Sequence, residues 1–230
     1  MNIIDKVIYD VKDKGMFYSL SLYGGLALSL IFEYPIQLFR DRTIIANDME
    51  HKYLVHWYNV TYINERSIEV PISLSYLHGD TLEVGNVLSH YVNFKHDIVD
   101  KYETDAGVIN IDIVDYNPGK LYDSIVCIST LEHIGWEDGE KDPQKIFVAL
   151  DKMKSLLKPN GVLIVTVPVG WNPFVNERMI RKHFTDVFCF HRTSRYDWVQ
   201  CKWGDTDYCR KWGDPYPYAN DLMIGIYKKD

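Results

Sequence analysis

From residue 80 onward the chain alternates short apolar, β-branched runs with polar or helix-patterned stretches. The runs fall at residues 81–84, 97–99, 108–114, 124–128 and 162–167. Runs of this length separated by longer crossovers predict a parallel sheet with helices between its strands. Between the fourth and fifth runs, Ile146, Phe147, Leu150, Met153, Leu156 and Leu157 recur at helical spacing. Asp142 suits the N-cap of that helix and Pro143 its first position, and Lys158-Pro159-Asn160-Gly161 ends it with Gly161 in a left-handed turn. A further helix is expected at 176–183, and strands at 187–191 and 222–227. Residues 193–219 read as a long irregular stretch rich in Trp, Tyr, Asp, Gly and Pro, and loops of that length usually carry function.

Residues 1–79 are less regular. Mixed helical patterning at 41–62 and 65–77 predicts a helical cap or lid on a core spanning 80–230. Residues 17–32 are apolar but interrupted by Ser19, Ser21, Gly24, Gly25 and Ser29, and the stretch is short for a membrane span. A buried or cofactor-covering helix is expected there, with no membrane contact.

Composition narrows the possible partners. With 32 acidic against 25 basic residues the net charge is -7, and the basic residues are dispersed, which speaks against a nucleic-acid surface. The four cysteines show no metal-finger spacing. Cys127 sits in an apolar run as a core thiol, while pairing of Cys201 with Cys209 stays open. With no secretory signal at the start, a cytoplasmic protein is expected. Nothing in the pattern decides between a monomer and a homodimer.

In a parallel α/β sheet, ligands bind beyond the carboxyl ends of the strands. Four stretches stand at such ends. Glu83 and Gly85 close the first strand, where a glycine lets the backbone turn tightly. Asp100 closes the second, where a carboxylate can grip a ribose diol. Asp112 lies in the third run, placed to accept a hydrogen bond from an adenine amino group. Ser129, Thr130, Leu131, Glu132 and His133 follow the fourth. Taken singly, each has an ordinary structural explanation: a turn glycine, a surface carboxylate, an edge-strand residue, a surface Glu-His pair.

Taken in order, the segments LEVGNVLSHY, HDIVDKYE, VINIDIVDY, YDSIVCISTLEHIGW and LLKPNGVLIVTVPVG resemble the successive motifs of class I S-adenosylmethionine-dependent methyltransferases. The resemblance covers about residues 80–170 closely. It implies a doubly wound α/β fold: a mostly parallel, seven-stranded, Rossmann-like sheet whose last strand, at 222–227, is antiparallel. It also implies a cofactor, S-adenosylmethionine. Gly85 and neighbouring Asn86 would lie under its amino-acid part, Asp100 and Lys101 at the ribose, Asp112 and Ile113 at the adenine, and Ser129, Thr130 and Leu131 beside the sulfonium. The glycine pattern departs from the family's usual E-x-G-x-G-x-G, because Val87 and Ser89 stand where glycines are common. The G-x-G-x-x-G turn of dinucleotide enzymes is likewise missing. Metal-binding relatives carry E-x-x-E-H where this chain has Ser129 for the first glutamate, so no metal is expected.

The expected activity is methyl transfer to an oxygen of a small molecule, sugar or glycan. His133 is the first candidate for general base, with Glu132 beside it, and His183 and Asp214 are weaker candidates. The alternative is a catalytically inactive module with the methyltransferase fold that binds or regulates.

Overall fold

The computed structural model describes residues 11–13, 16–173, 175, 180–202 and 212–230. Before residue 80 it contains helices α1 (Met16–Leu28), α2 (Tyr34–Leu38) and α3 (Arg66–Leu74), and a hairpin of β1 (Thr43–Ala46) and β2 (Met49–Lys52). There follow β3 (Thr81–Val84), β4 (Asp97–Asp100), β5 (Val108–Asn110), β6 (Tyr122–Ile128), helix α4 (Lys145–Ser155) and β7 (Leu157–Pro168). The last strands are β8 (Asp186–Arg192), β9 (Trp198–Cys201) and β10 (Asp221–Lys228).

Strands β3 to β10 form one sheet in the order β5-β4-β3-β6-β7-β10-β8-β9. Strands β3 to β7 pair in parallel, while β10 runs antiparallel between β7 and β8. Along β6 the pleat sends alternate side chains to opposite faces. Ile125 and Cys127 meet α4 through Ile146, Leu150 and Met153, whereas Val126 and Ile128 meet α3 through Ile68, Val70 and Ile72. Helices therefore cover both faces, and the sheet is a doubly wound, Rossmann-like α/β fold. No helix among the described residues is long and apolar enough to cross a membrane.

Several local expectations change. The sheet has eight strands among the described residues rather than seven, because β9 arises within the stretch expected to be irregular. Trp198 buries its ring while β9 pairs with β8, so the edge is extended by a short antiparallel strand. The third run ends at Asn110: the Asp112 side chain accepts the amide of Val114 and starts a 3-10 turn, Ile113–Asp115. Helix α4 starts at Lys145, with Gln144 at the cap position, although Asp142 still accepts the Gln144 amide. The left-handed residue before the rest of β7 is Asn160, φ 62°, and Gly161 is not left-handed. The region before residue 80 holds a β-hairpin as well as helices. Of the helix expected at 176–183 the first four residues lie outside the described ones, as does Cys209.

One buried side chain ties distant segments together. Arg192, fully buried, donates from Nη2 to the carbonyl of Ile63 at 2.6 Å, and from Nη1 to those of Pro217 at 2.5 Å and Ala219 at 3.3 Å. Nε reaches the carbonyl of Ser194 at 3.2 Å and Nη2 also that of Arg195. Burial lowers its pKa to about 10, so the guanidinium still carries its charge at neutral pH. Replacement by methionine would leave these carbonyls without donors. Urea denaturation at pH 7 should show Arg192→Met less stable by on the order of 3 kcal/mol. A loss below about 0.5 kcal/mol, the range of an ordinary surface substitution, would refute the bolt.

Candidate active site

Strands β3 and β6 are neighbours, yet β4 and β5 intervene in sequence on the far side of β3. Strand order reverses there, and neighbouring loops diverge to leave a crevice. The crevice is a cleft of about 660 Å³, walled by Gly85, Asn86, Asp100, Lys101, Asp112, Ile113, Thr130 and His133 among others. The fold thus brings eight of the expected site residues onto one surface. Glu83, Ser129, Leu131 and Glu132 do not line it; all four are buried behind it.

The loop after β3 is shaped by Glu83. Its Oε1 accepts the amides of Val87 at 2.7 Å and Leu88 at 2.6 Å, and its Oε2 meets His96 Nε2 at 2.7 Å. Burial opposes the charge on His96, but the hydrogen bond to Glu83 outweighs it and raises the imidazole pKa. Glu83 thus holds the loop rather than facing a ligand. Gly85 follows at φ +83°, with its amide on the Val99 carbonyl at 2.8 Å. A Cβ at Gly85 would stand 2.2 Å from Thr130 Oγ1, so this position needs glycine for both backbone and space. Val87, where a second glycine is common, packs into the core with Ile68 and Ile128.

At the ends of β4 and β5 the wall is charged. Asp100 Oδ1 accepts the amides of Tyr102 at 2.7 Å and Glu103 at 2.8 Å, which fixes its carboxylate at the rim. Asp112 is paired with Lys145 at 2.7 Å and Lys101 at 3.2 Å. Both lysines also reach Asp138, which accepts the Tyr102 hydroxyl at 2.9 Å. Burial works against the charge on Asp112 and Asp138, but the lysine hydrogen bonds prevail and hold both below the usual carboxylate range. Asp138, Lys145 and Tyr102 carry no motif signal in the sequence. Each is one polar residue in a polar stretch, and only the fold sets them opposite Asp112.

The loop after β6 begins with Ser129 at φ +39°, a strained conformation for a residue with a side chain. It is held there from both sides. The Ser129 amide donates to Thr166 Oγ1 at 2.9 Å, and Ser129 Oγ donates to Glu69 Oε2 at 2.8 Å. Glu69, on α3, also accepts Thr166 Oγ1 at 2.6 Å and pairs with Arg66. Glu132 is buried, and desolvation pushes its pKa up from the usual carboxylate range. His133 faces the cleft, with Nδ1 2.7 Å from Glu137 Oε1, Nε2 3.6 Å from Glu132 Oε1, and its ring 5.5 Å from that of Trp171. His183 instead stacks on Phe147 and is not among the cleft residues. From the N-terminal region Tyr58 joins the wall, stacked on His90 at 4.5 Å, a contribution that no pattern in the sequence announced. Among the described residues, no group of three or more His, Cys, Asp or Glu is placed to hold a metal ion.

No family model matches the chain, and no curated protein matches it. Solved structures similar to it include the N-methyltransferase NodS from Bradyrhizobium japonicum WM9, at 15% identity, TM-score 0.42, over 70% of this chain and 91% of that one. A SAM-dependent methyltransferase from Archaeoglobus fulgidus aligns at 16% identity, TM-score 0.43, over 68% and 89%. The sugar N-methyltransferase KedS8 from a Streptoalloteichus species aligns at 13% identity, TM-score 0.33, over 65% and 80%. At these values the functional reading rests on the cleft itself.

Two outcomes follow from this geometry. Gly85→Ala should lower stability by about 1–3 kcal/mol in a thermal melt, through left-handed strain and the clash with Thr130; an unchanged melt would refute the tight approach. Asp112 and Asp138 have depressed folded-state pKa values, so their stabilisation is present above the unfolded value of 3.8 and fades as pH falls through the folded ones. Lys145→Met should therefore flatten the loss of melting temperature between about pH 4 and pH 2. An identical acid limb in that variant would count against the ion-pair cluster.

Proposed function

We propose that this chain is an S-adenosylmethionine-dependent methyltransferase acting on a small molecule or sugar. The observation that carries the reading is the convergence of Gly85, Asp100 and Asp112, in chain order, on one cleft at the point where the sheet reverses. The cleft's volume lies within the range of small-molecule and cofactor sites. Its residues suit the cofactor's parts. The loop held by Glu83 approaches without a side chain at Gly85. Asp100 keeps Oδ1 on two amides, which leaves its second oxygen for a diol. Asp112 stands at the adenine end, and the carboxylates at the rim favour a cation.

When bound, the cofactor supplies an electrophilic methyl group on a sulfonium, and transfer is a direct displacement. The protein's part is placement, which can supply much of the rate. Thr130 and His133 form the wall nearest the expected reacting end. In the tautomer whose Nδ1–H donates to Glu137 Oε1, His133 Nε2 carries the lone pair and can take a proton from an acceptor hydroxyl. Glu137 orients the ring, and the buried Glu132 sits behind it, 3.6 Å from Nε2. Oxygen as the methylated atom is part of this proposal. A binding or regulatory module without turnover is the second reading, favoured by the two lysines that occupy Asp112.

Titration calorimetry with S-adenosylhomocysteine tests the first step. Binding is expected and should weaken at least tenfold in Asp100→Ala; no heat at millimolar ligand would end the assignment. Transfer of tritium from labelled cofactor into a metabolite or glycan extract then separates an enzyme from a silent module. With an acceptor in hand, His133→Ala should lower kcat by about 10²–10⁴ while cofactor affinity changes little. An intact kcat with a lower melting temperature would assign His133 to structure instead.

A further inference from the structure

Residues 16–38 form one continuous helical rod: α1, a π-turn at Ser29–Glu33, and α2, with helical backbone at both joints. Leu26, Ser29, Leu30, Glu33, Tyr34 and Gln37 follow helical spacing along its inner side. That side meets the body of the protein. Leu26, Leu30 and Tyr34 pack on Val60, Tyr62 and Ile63; Ser29 Oγ lies 3.0 Å from the Tyr62 hydroxyl; Arg195 pairs with Glu33 at 3.3 Å. The opposite side carries Leu28, Ile31, Phe32, Ile36, Leu38 and Phe39, each between 51% and 91% exposed. Gly24, Gly25, Ala27 and Pro35 complete it, so among the described side chains of residues 23–39 this outer face holds none that is charged or hydrogen-bonding. The rod is inverted for a surface helix, with its polar groups inside and its apolar groups outside.

The six large side chains together present on the order of 700 Å² of apolar surface, above the ~300–600 Å² of a typical monomer's largest patch. That is close to the ~800 Å² which each partner contributes to a standard protein interface. Gly24 and Gly25 have nothing within 4 Å of where a Cβ would stand, so no contact among the described residues requires them. Each nevertheless costs a helix about 1 kcal/mol relative to alanine. Close approach of another backbone would account for both. A lipid surface fits less well, because interfacial helices rely on several Lys and Arg beside the apolar face, whereas residues 16–38 contain neither, only the exposed Arg40 adjoins the face past Phe39, and the chain carries a net charge of -7.

We infer that this face is the interface through which two copies of the chain pair, rod against rod about a two-fold axis. A two-fold contact needs a surface complementary to itself, and a charge-free apolar stripe with two glycines meets that condition. Pairing also bears on the cleft. The rod's inner side rests on Val60 and Tyr62, next to Tyr58 in the cleft wall, so a second rod would brace the segment that carries Tyr58. The inference does not depend on the reaction catalysed.

Sedimentation velocity of the full chain at micromolar concentration should give twice the 26.9 kDa of one copy. The double variant Phe32→Glu with Ile36→Glu should sediment as a single copy with an unchanged far-UV circular dichroism spectrum. Gly25→Arg, at a position where a Cβ meets nothing within 4 Å, should do the same and stands as the second variant if the first misfolds. A single-copy mass for the unaltered chain would overturn the inference, as would a double mass retained in the variants. A single copy that co-sediments with phosphatidylcholine–phosphatidylglycerol vesicles would overturn it in favour of a lipid surface.

Discussion

A carboxylate with no solvent must find hydrogen-bond donors, and Glu83 finds them in the loop that its own strand launches. Two backbone amides and the His96 imidazole converge on its oxygens, and this convergence sets the path of residues 85 to 88. The turn that results places Gly85 against Thr130 and joins the ends of β3 and β6. Without that anchor the reversal in strand order would still leave a crevice, but its floor would have no defined shape. The same anchor explains how the loop manages with one glycine. Val87, turned away from the cleft, gains core contacts with Ile68 and Ile128, and Leu88 starts a single 3-10 turn.

The N-terminal region is part of this arrangement and more than a cover. From α3, Glu69 holds the hydroxyls of Ser129 and Thr166 and keeps Ser129 in its left-handed conformation. Arg66 balances the charge of Glu69. On the far side, Arg192 binds the Ile63 carbonyl together with the carbonyls of Pro217 and Ala219, just before β10. The loop after β6 is therefore braced by residues sixty positions away and more. Positioning of Thr130 and His133 depends on that long-range closure as much as on β6 itself.

Charge in the cleft is organised in two tiers. Buried carboxylates are held by the fold around them: Glu83 accepts backbone amides, and Glu69 accepts two hydroxyls and pairs with Arg66. Rim carboxylates pair with Lys101 and Lys145 across the opening. A ligand that takes Asp112 must loosen at least one of these pairs, and Asp138 remains to hold the lysines when it does. This exchange keeps the free cleft compensated without closing it.

The sequence alone determined the parallel sheet, since the runs at 81–84, 97–99 and 124–128 need only local β-branched patterning. It also determined which strand ends would carry Gly85, Asp100 and His133, because a strand's carboxyl end is fixed by the chain itself, whereas Asp112 reads as part of a strand and stands past its end. Tertiary structure decided which carboxylates face the cleft. Glu83 and Glu132 look like Asp100 in sequence, but burial depends on α3, α4 and the neighbouring strands that close over them. It decided the eighth strand as well, because Trp198 gains its burial only once Arg192 and β8 are in place. Tyr58, Lys145 and Asp138 entered the site in the same way. Periodicity is a property of neighbours along the chain, whereas solvent access and charge pairing belong to residues that meet only after folding.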